Sequence, residues 1–78
     1  MVRVLLLGPA RQAAGEASCE VDPGTVGAIC GVLEERYGAE FAAVLGAARL
    51  WVDGRPARAS DDVPAGAELS VLPPVSGG

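Results

Sequence analysis

The sequence predicts an α+β fold, a mixed sheet with one main helix packed on one face, in the order β-β-α-β-β-β. Three observations predict it. Short leucine- and valine-rich runs, "VRVLLLG" and "AELSVLP", lie near the two ends; "EASCEV" alternates polar with apolar; and one apolar stripe at helical spacing lies between them. The chain has 78 residues and half of them are apolar. That is one domain, with enough material for a single core, near the lower size limit for folding without metals or disulfides.

The first strand is expected over residues 2–8, with Val2, Val4 and Leu6 facing one way and Arg3, Leu5 and Leu7 the other. "PARQAAG", residues 9–15, carries turn signals. The second strand, residues 16–21, puts Ala17, Cys19 and Val21 inward and Glu16, Ser18 and Glu20 outward. "DPGT" stops the sheet, and Thr25 is a good helix N-cap. Val26, Ile29, Cys30, Leu33 and Tyr37 then fall on one helical stripe, so a helix spans residues 26–37, closed by Gly38. Gly27 and Gly31 inside it each cost about 1 kcal/mol relative to Ala, which points either to close packing or to simple tolerance. "AEFAAVLGAA" could add a short helical turn. "RLWVDGRPARA" reads as a strand, a turn at Asp53-Gly54 and a short edge strand carrying Pro56. "DDVPAG" is a loop. In the last strand Leu69 and Val71 share one face, Ser70 and Leu72 the other. Trp51, between Leu50 and Val52, has no clear strand phase and belongs equally to an interface or to the core edge.

The reactive side chains are few. With no His and no Lys, the usual general bases and the amine nucleophile are missing. The adjacent acids Glu34-Glu35 and Asp61-Asp62 read as solvated surface. "GPARQAAG" lacks the ending of a phosphate-binding loop. Cys19 and Cys30 form no metal-ligand spacing and read as buried thiols. The net charge of −4 disfavours nucleic acid and favours a partner with a basic surface. The opening apolar run is too short for a membrane span and lacks the features of a signal peptide, so a cytosolic chain is expected. Independent catalysis is not expected.

What remains is the end of the chain, "LPPVSGG". Residues 1–72 are read as the folded domain and 73–78 as a tail. Pro73 and Pro74 give a stiff, extended exit from the sheet. Val75 and Ser76 follow, and Gly77 and Gly78 can pass through a slot too narrow for a Cβ. Extended, the tail reaches about 20 Å. A terminal carboxylate is inert until activated, for instance as a mixed anhydride with AMP, and another protein's pocket must do that.

Together these stretches resemble the β-grasp (ubiquitin-like) sulfur carriers, and most closely the small subunits of molybdopterin synthase. The resemblance covers essentially the whole chain, through "VRVLLLGPARQAAG", "VPAGAELSVLPP" and above all "PPVSGG". Members of that group typically end in Pro-Pro-Val, a small hydroxylated residue and Gly-Gly; their bulky aromatics near the start are replaced here by Leu6 and Leu7. The resemblance implies a β-grasp fold and a mechanism. A ubiquitin-activating-like adenylating enzyme would use ATP to adenylate Gly78, and sulfur from a persulfide donor protein would convert it to a thiocarboxylate. The tail would then enter the large subunit of molybdopterin synthase, in a heterotetramer, and give its sulfur to a pyranopterin precursor of the molybdenum cofactor. The chain itself would bind no cofactor or metal. Leu5, Leu7 and Leu72 would share the face opposite the helix, if their strands are neighbours, and serve as partner surface. Three other readings stay open: a carrier for thiamin thiazole or cysteine synthesis, a protein modifier joined through Gly78, and a plain ubiquitin-like interaction module.

Overall fold

Val2, Val4 and Leu6 are fully buried and alternate with Arg3 and Leu5, the two-residue period of a half-buried strand. They form β1 (Val2–Leu6). The computed structural model describes residues 1–74, so Val75, Ser76, Gly77 and Gly78 lie outside the described residues. The expected strand over 2–8 ends at Leu6 because Gly8 turns the chain with a φ of 58°. Residues 9–15, expected as a turn, instead hold the short helix α1 (Pro9–Ala14). Pro9 sits in its first turn, where a missing N–H costs nothing, and Gly15 closes it in the left-handed conformation.

β2 (Ser18–Val21) pairs antiparallel with β1. Ala17, expected to face inward, is exposed. It precedes the strand, and its carbonyl reaches the ladder by accepting the Leu6 N–H at 2.8 Å. The main helix α2 (Val26–Tyr37) has the expected bounds, with Val26, Ile29 and Leu33 buried. Its first N–H groups, which no helical carbonyl can serve, find three acceptors. Val26 donates to the Asp61 carbonyl at 2.9 Å, Gly27 to the Ala59 carbonyl at 2.9 Å, and Ala28 to Thr25 Oγ1 at 3.1 Å. Two short strands hold those acceptors in place, β3 (Gly24–Thr25) paired with β6 (Asp62–Val63), where the sequence suggested only loop.

This packing separates the two helical glycines. A Cβ on Gly27 would lie 3.3 Å from the Ala59 carbonyl oxygen, whereas one on Gly31 would meet nothing within 4 Å. Gly31→Ala is therefore expected to stabilise the protein by about 0.5–1 kcal/mol, and Gly27→Ala is not. Urea unfolding of the two variants checks this; equal gains would show that the Ala59 contact is irrelevant.

The segment after Gly38 forms a full helix, α3 (Ala39–Ala47), rather than a single turn. Its Phe41 is completely buried and stacks obliquely on Tyr37, with ring centroids 4.9 Å apart. β4 (Arg49–Val52) and β5 (Arg55–Pro56) follow, joined by Asp53 and Gly54, both at positive φ as a two-residue hairpin of this hand requires. β7 (Glu68–Leu72) closes the fold by inserting between β1, to which it is parallel, and β4, to which it is antiparallel. The resulting mixed sheet has the order β2-β1-β7-β4-β5, with the three helices contributing to one core cluster on its inner face. These are the five strands the sequence predicts.

Both sheet edges are guarded. Ala57 N–H donates to the Leu50 carbonyl at 2.9 Å, which leaves Pro56 at the position whose nitrogen faces outward, where it presents no donor. On the other edge the Arg36 guanidinium donates to the Glu20 carbonyl at 3.3 Å. Among the described residues no helix is long and apolar enough to cross a membrane.

Candidate functional site

β7 is the central strand, hydrogen-bonded on both sides, and the tail continues directly from it. The root of the tail is therefore attached to the strand held most firmly by its neighbours. The ladder with β1 extends beyond its last strand residue, since Leu7 N–H donates to the Val71 carbonyl at 3.1 Å. Next to it, a Cβ on Gly8 would lie 3.5 Å from Cγ of Pro73, so the turn after β1 packs against the first tail residue. Pro73 and Pro74 are exposed.

The sheet face turned away from the helices can be read row by row from the register. Ser18, Leu5, Ser70, Trp51 and Pro56 form a middle row across all five strands. One step toward the tail, Leu72 lies opposite Arg49, with Leu7 continuing the outward phase of β1. One step away from the tail, Arg3 lies between Glu20 and Glu68. The structure thus places Leu5, Leu7 and Leu72 on one outer face: Leu5 and Leu72 are half-buried, and Leu7 is 40% exposed. Leu6 points the other way and is fully buried, so of the two residues replacing aromatics in the resemblance only Leu7 faces outward.

Trp51 is also outward. Leu50 and Val52 pack on the core, and Trp51 alternates with them. Three consecutive apolar residues hide that phase in the sequence; only the pairing of β4 with β7 reveals it. Trp51, Arg49 and Pro56 line a shallow cleft of about 360 Å³ that also includes Pro74. Sequence reasoning did not single out Gly8 or Arg49. The signal for Gly8 was its place between a strand and a proline; Arg49 had none.

The remaining titratable groups offer little chemistry. Cys19 and Cys30 are free and half-buried, packed against the core. Burial, and then the charge of Glu34, push the Cys30 thiol above its usual value, away from the thiolate that a reactive cysteine needs. Tyr37 donates to the Glu16 carboxylate. Burial, followed by hydrogen bonds to Cys19 and Glu16, raises its pKa and keeps the phenol protonated. No cluster of three or more His, Cys, Asp or Glu residues that could hold a metal occurs among the described residues. The acidic pairs Glu34-Glu35 and Asp61-Asp62 are exposed.

Comparison with known proteins agrees with this geometry. The sequence model of the ThiS family matches residues 4–78. SAMP1 from Haloferax volcanii, a small archaeal modifier protein, has the same fold with a TM-score of 0.83 and 28% identity, covering 99% of this chain and 98% of that one. The Amycolatopsis orientalis BexX/CysO complex contains a chain matching at TM-score 0.82 and 25% identity over 100% of both. A putative molybdopterin converting factor subunit 1 from Pyrococcus furiosus matches at TM-score 0.84 and 21% identity, covering 95% of this chain and 97% of that one. No curated protein matches the sequence significantly.

Proposed function

The chain belongs to the ThiS family of ubiquitin-like β-grasp proteins, and on that premise we propose that it is a sulfur carrier acting as the small subunit of molybdopterin synthase. The observation that carries this reading is the Pro-Pro-Val-Ser-Gly-Gly sequence following the central strand β7. A tail rooted there moves little at its base while its end enters a partner's pocket. Resemblance in the tail favours the molybdopterin pathway, and the Pyrococcus furiosus structure is named for that system; the CysO and SAMP1 structures represent related uses of the same fold.

The chemistry belongs to Gly78 and to partner proteins. A carboxylate oxygen of Gly78 attacks the α-phosphorus of ATP in the adenylating enzyme, releasing pyrophosphate and forming an acyl-adenylate. The terminal sulfur of a donor's persulfide attacks the acyl carbon and AMP leaves. A thiol then cleaves the resulting acyl disulfide, itself becoming oxidised to a disulfide and leaving the Gly78 thiocarboxylate. That sulfur is the nucleophile delivered to the pyranopterin precursor in the large subunit. This chain contributes the reacting atom, its reach and the docking face.

Incubating the chain with the adenylating enzyme, ATP and a persulfide donor is expected to raise its intact mass by about 16 Da, the difference between sulfur and oxygen. An unchanged mass overturns the carrier reading. Conjugates to target lysines that survive reductant would support the modifier reading instead, which the likeness to SAMP1 favours. The docking face has its own test. Leu7→Glu or Leu72→Glu would bury an unpaired charge on binding and is expected to weaken the complex with the large subunit by about a hundredfold. Titration calorimetry checks it, and unchanged affinity removes these leucines from the interface.

A further inference from the structure

On the outer sheet face the charges are unevenly placed. Glu16, which continues the outward phase of β2 at the tail end, accepts a hydrogen bond from Tyr37 and lies three strands across the sheet from Arg49. Two carboxylates, Glu20 and Glu68, flank Arg3 in the row farthest from the tail. Asp53, in the turn after β4, lies at that end too, its carboxylate accepting the Glu68 N–H at 2.9 Å. At the tail end Arg49 is exposed, and its partner in the ladder is Leu72, an apolar residue. Glu68 and Leu72 are four positions apart on β7, roughly 13 Å along the strand. That exceeds the screening length of about 8–10 Å at physiological salt. A surface approaching the root of the tail therefore meets Arg49 as a cation, although the whole chain carries a net charge of −4.

Trp51, Pro56 and Pro74 are apolar neighbours of Arg49 in the lining of the cleft, which Ala47 and Ala48 share. Tryptophan and arginine side by side are the residue types that most often dominate binding energy when a partner covers them. The cleft adjoins the Leu5, Leu7 and Leu72 surface, so a protein that receives the tail would cover both.

Building on the carrier reading, we propose that this cleft takes the rim of the adenylating enzyme's tail pocket, and that the rim presents a carboxylate to Arg49 and an apolar side chain to Trp51. The overall acidity of the chain suggests a basic partner; at the mouth of the pocket the local charge reverses that expectation. The contact orients the docking face about the tail, because Arg3 at the far end of that face is balanced between two carboxylates. Arg55, exposed on the edge strand at that end, has the opposite strand phase, paired with Val52.

Steady-state activation of the chain by the adenylating enzyme, followed as pyrophosphate release, tests this. Arg49→Glu is expected to raise KM about tenfold or more while kcat changes by less than about twofold, with Arg49→Lys restoring most of the affinity. Arg3→Gln, at the far end of the same face, is expected to leave KM within about twofold, whereas Arg49→Gln should still raise it several-fold. Trp51, the only tryptophan in the sequence, also reports occupancy through a blue shift of its emission on mixing with the enzyme. If the wild-type chain is activated but Arg49→Glu keeps KM within about twofold of it, the cleft proposal fails and the carrier reading stands. If the wild-type chain is not activated at all, the carrier reading fails and takes this proposal with it.

Discussion

Removing Gly78, or adding one residue after it, is expected to abolish sulfur loading while leaving the fold and its unfolding midpoint unchanged. In the proposed reaction the reacting carbonyl is that of Gly78, and one residue more or less displaces it by about 3.5 Å. A misplacement of roughly 1 Å already costs on the order of a hundredfold in a positioned reaction, so either change should drop activation below detection. Folding is untouched because the buried part of β7 ends at Val71, and Pro73 and Pro74 are already exposed. Intact mass after incubation with the adenylating enzyme, set beside a urea titration, separates the two effects. A variant that still gains the mass of sulfur would remove Gly78 from its role.

Phe41→Ala is expected to have the largest effect on stability, a loss of about 3–5 kcal/mol. Phe41 is wholly buried, is the largest of the fully buried side chains, and lies against Tyr37 where α2 hands over to α3. A domain of this size holds about 4–12 kcal/mol in total. At the lower end of that range the variant would be close to half unfolded at 25 °C, and at the upper end it would keep about 7–9 kcal/mol. Near-UV circular dichroism and the urea midpoint measure it, and a loss under about 1.5 kcal/mol would mean that the site collapses around the missing ring. Val32→Ala, on the exposed side of α2, is the matched control and should change little.

Legibility in the sequence followed the range of the interactions involved. Thr25 caps α2 through a bond three residues away, Gly38 ends that helix, and Asp53-Gly54 turns β4 into β5; each is a local event between near neighbours, and each could be read directly. The alternation of Val2, Val4 and Leu6, and of Leu69 and Val71, was equally plain, because a sheet with one buried face imposes a period of two. Helix α1 was not legible. Six residues cannot form a stable helix by propensity alone, and α1 exists because Ala10 is buried in the core.

The candidate site divides in the same way. From its residues alone the chain announced an α+β domain without the usual catalytic side chains, ending in a proline pair and two glycines, because composition and local period need no knowledge of what folds against what. The tertiary structure alone decided that β7 lies between β1 and β4, and hence that Leu5 and Leu72 share a face with Trp51 and Arg49. That follows from contacts between strands distant in sequence, whose register depends on how side chains from both ends of the chain fill one core.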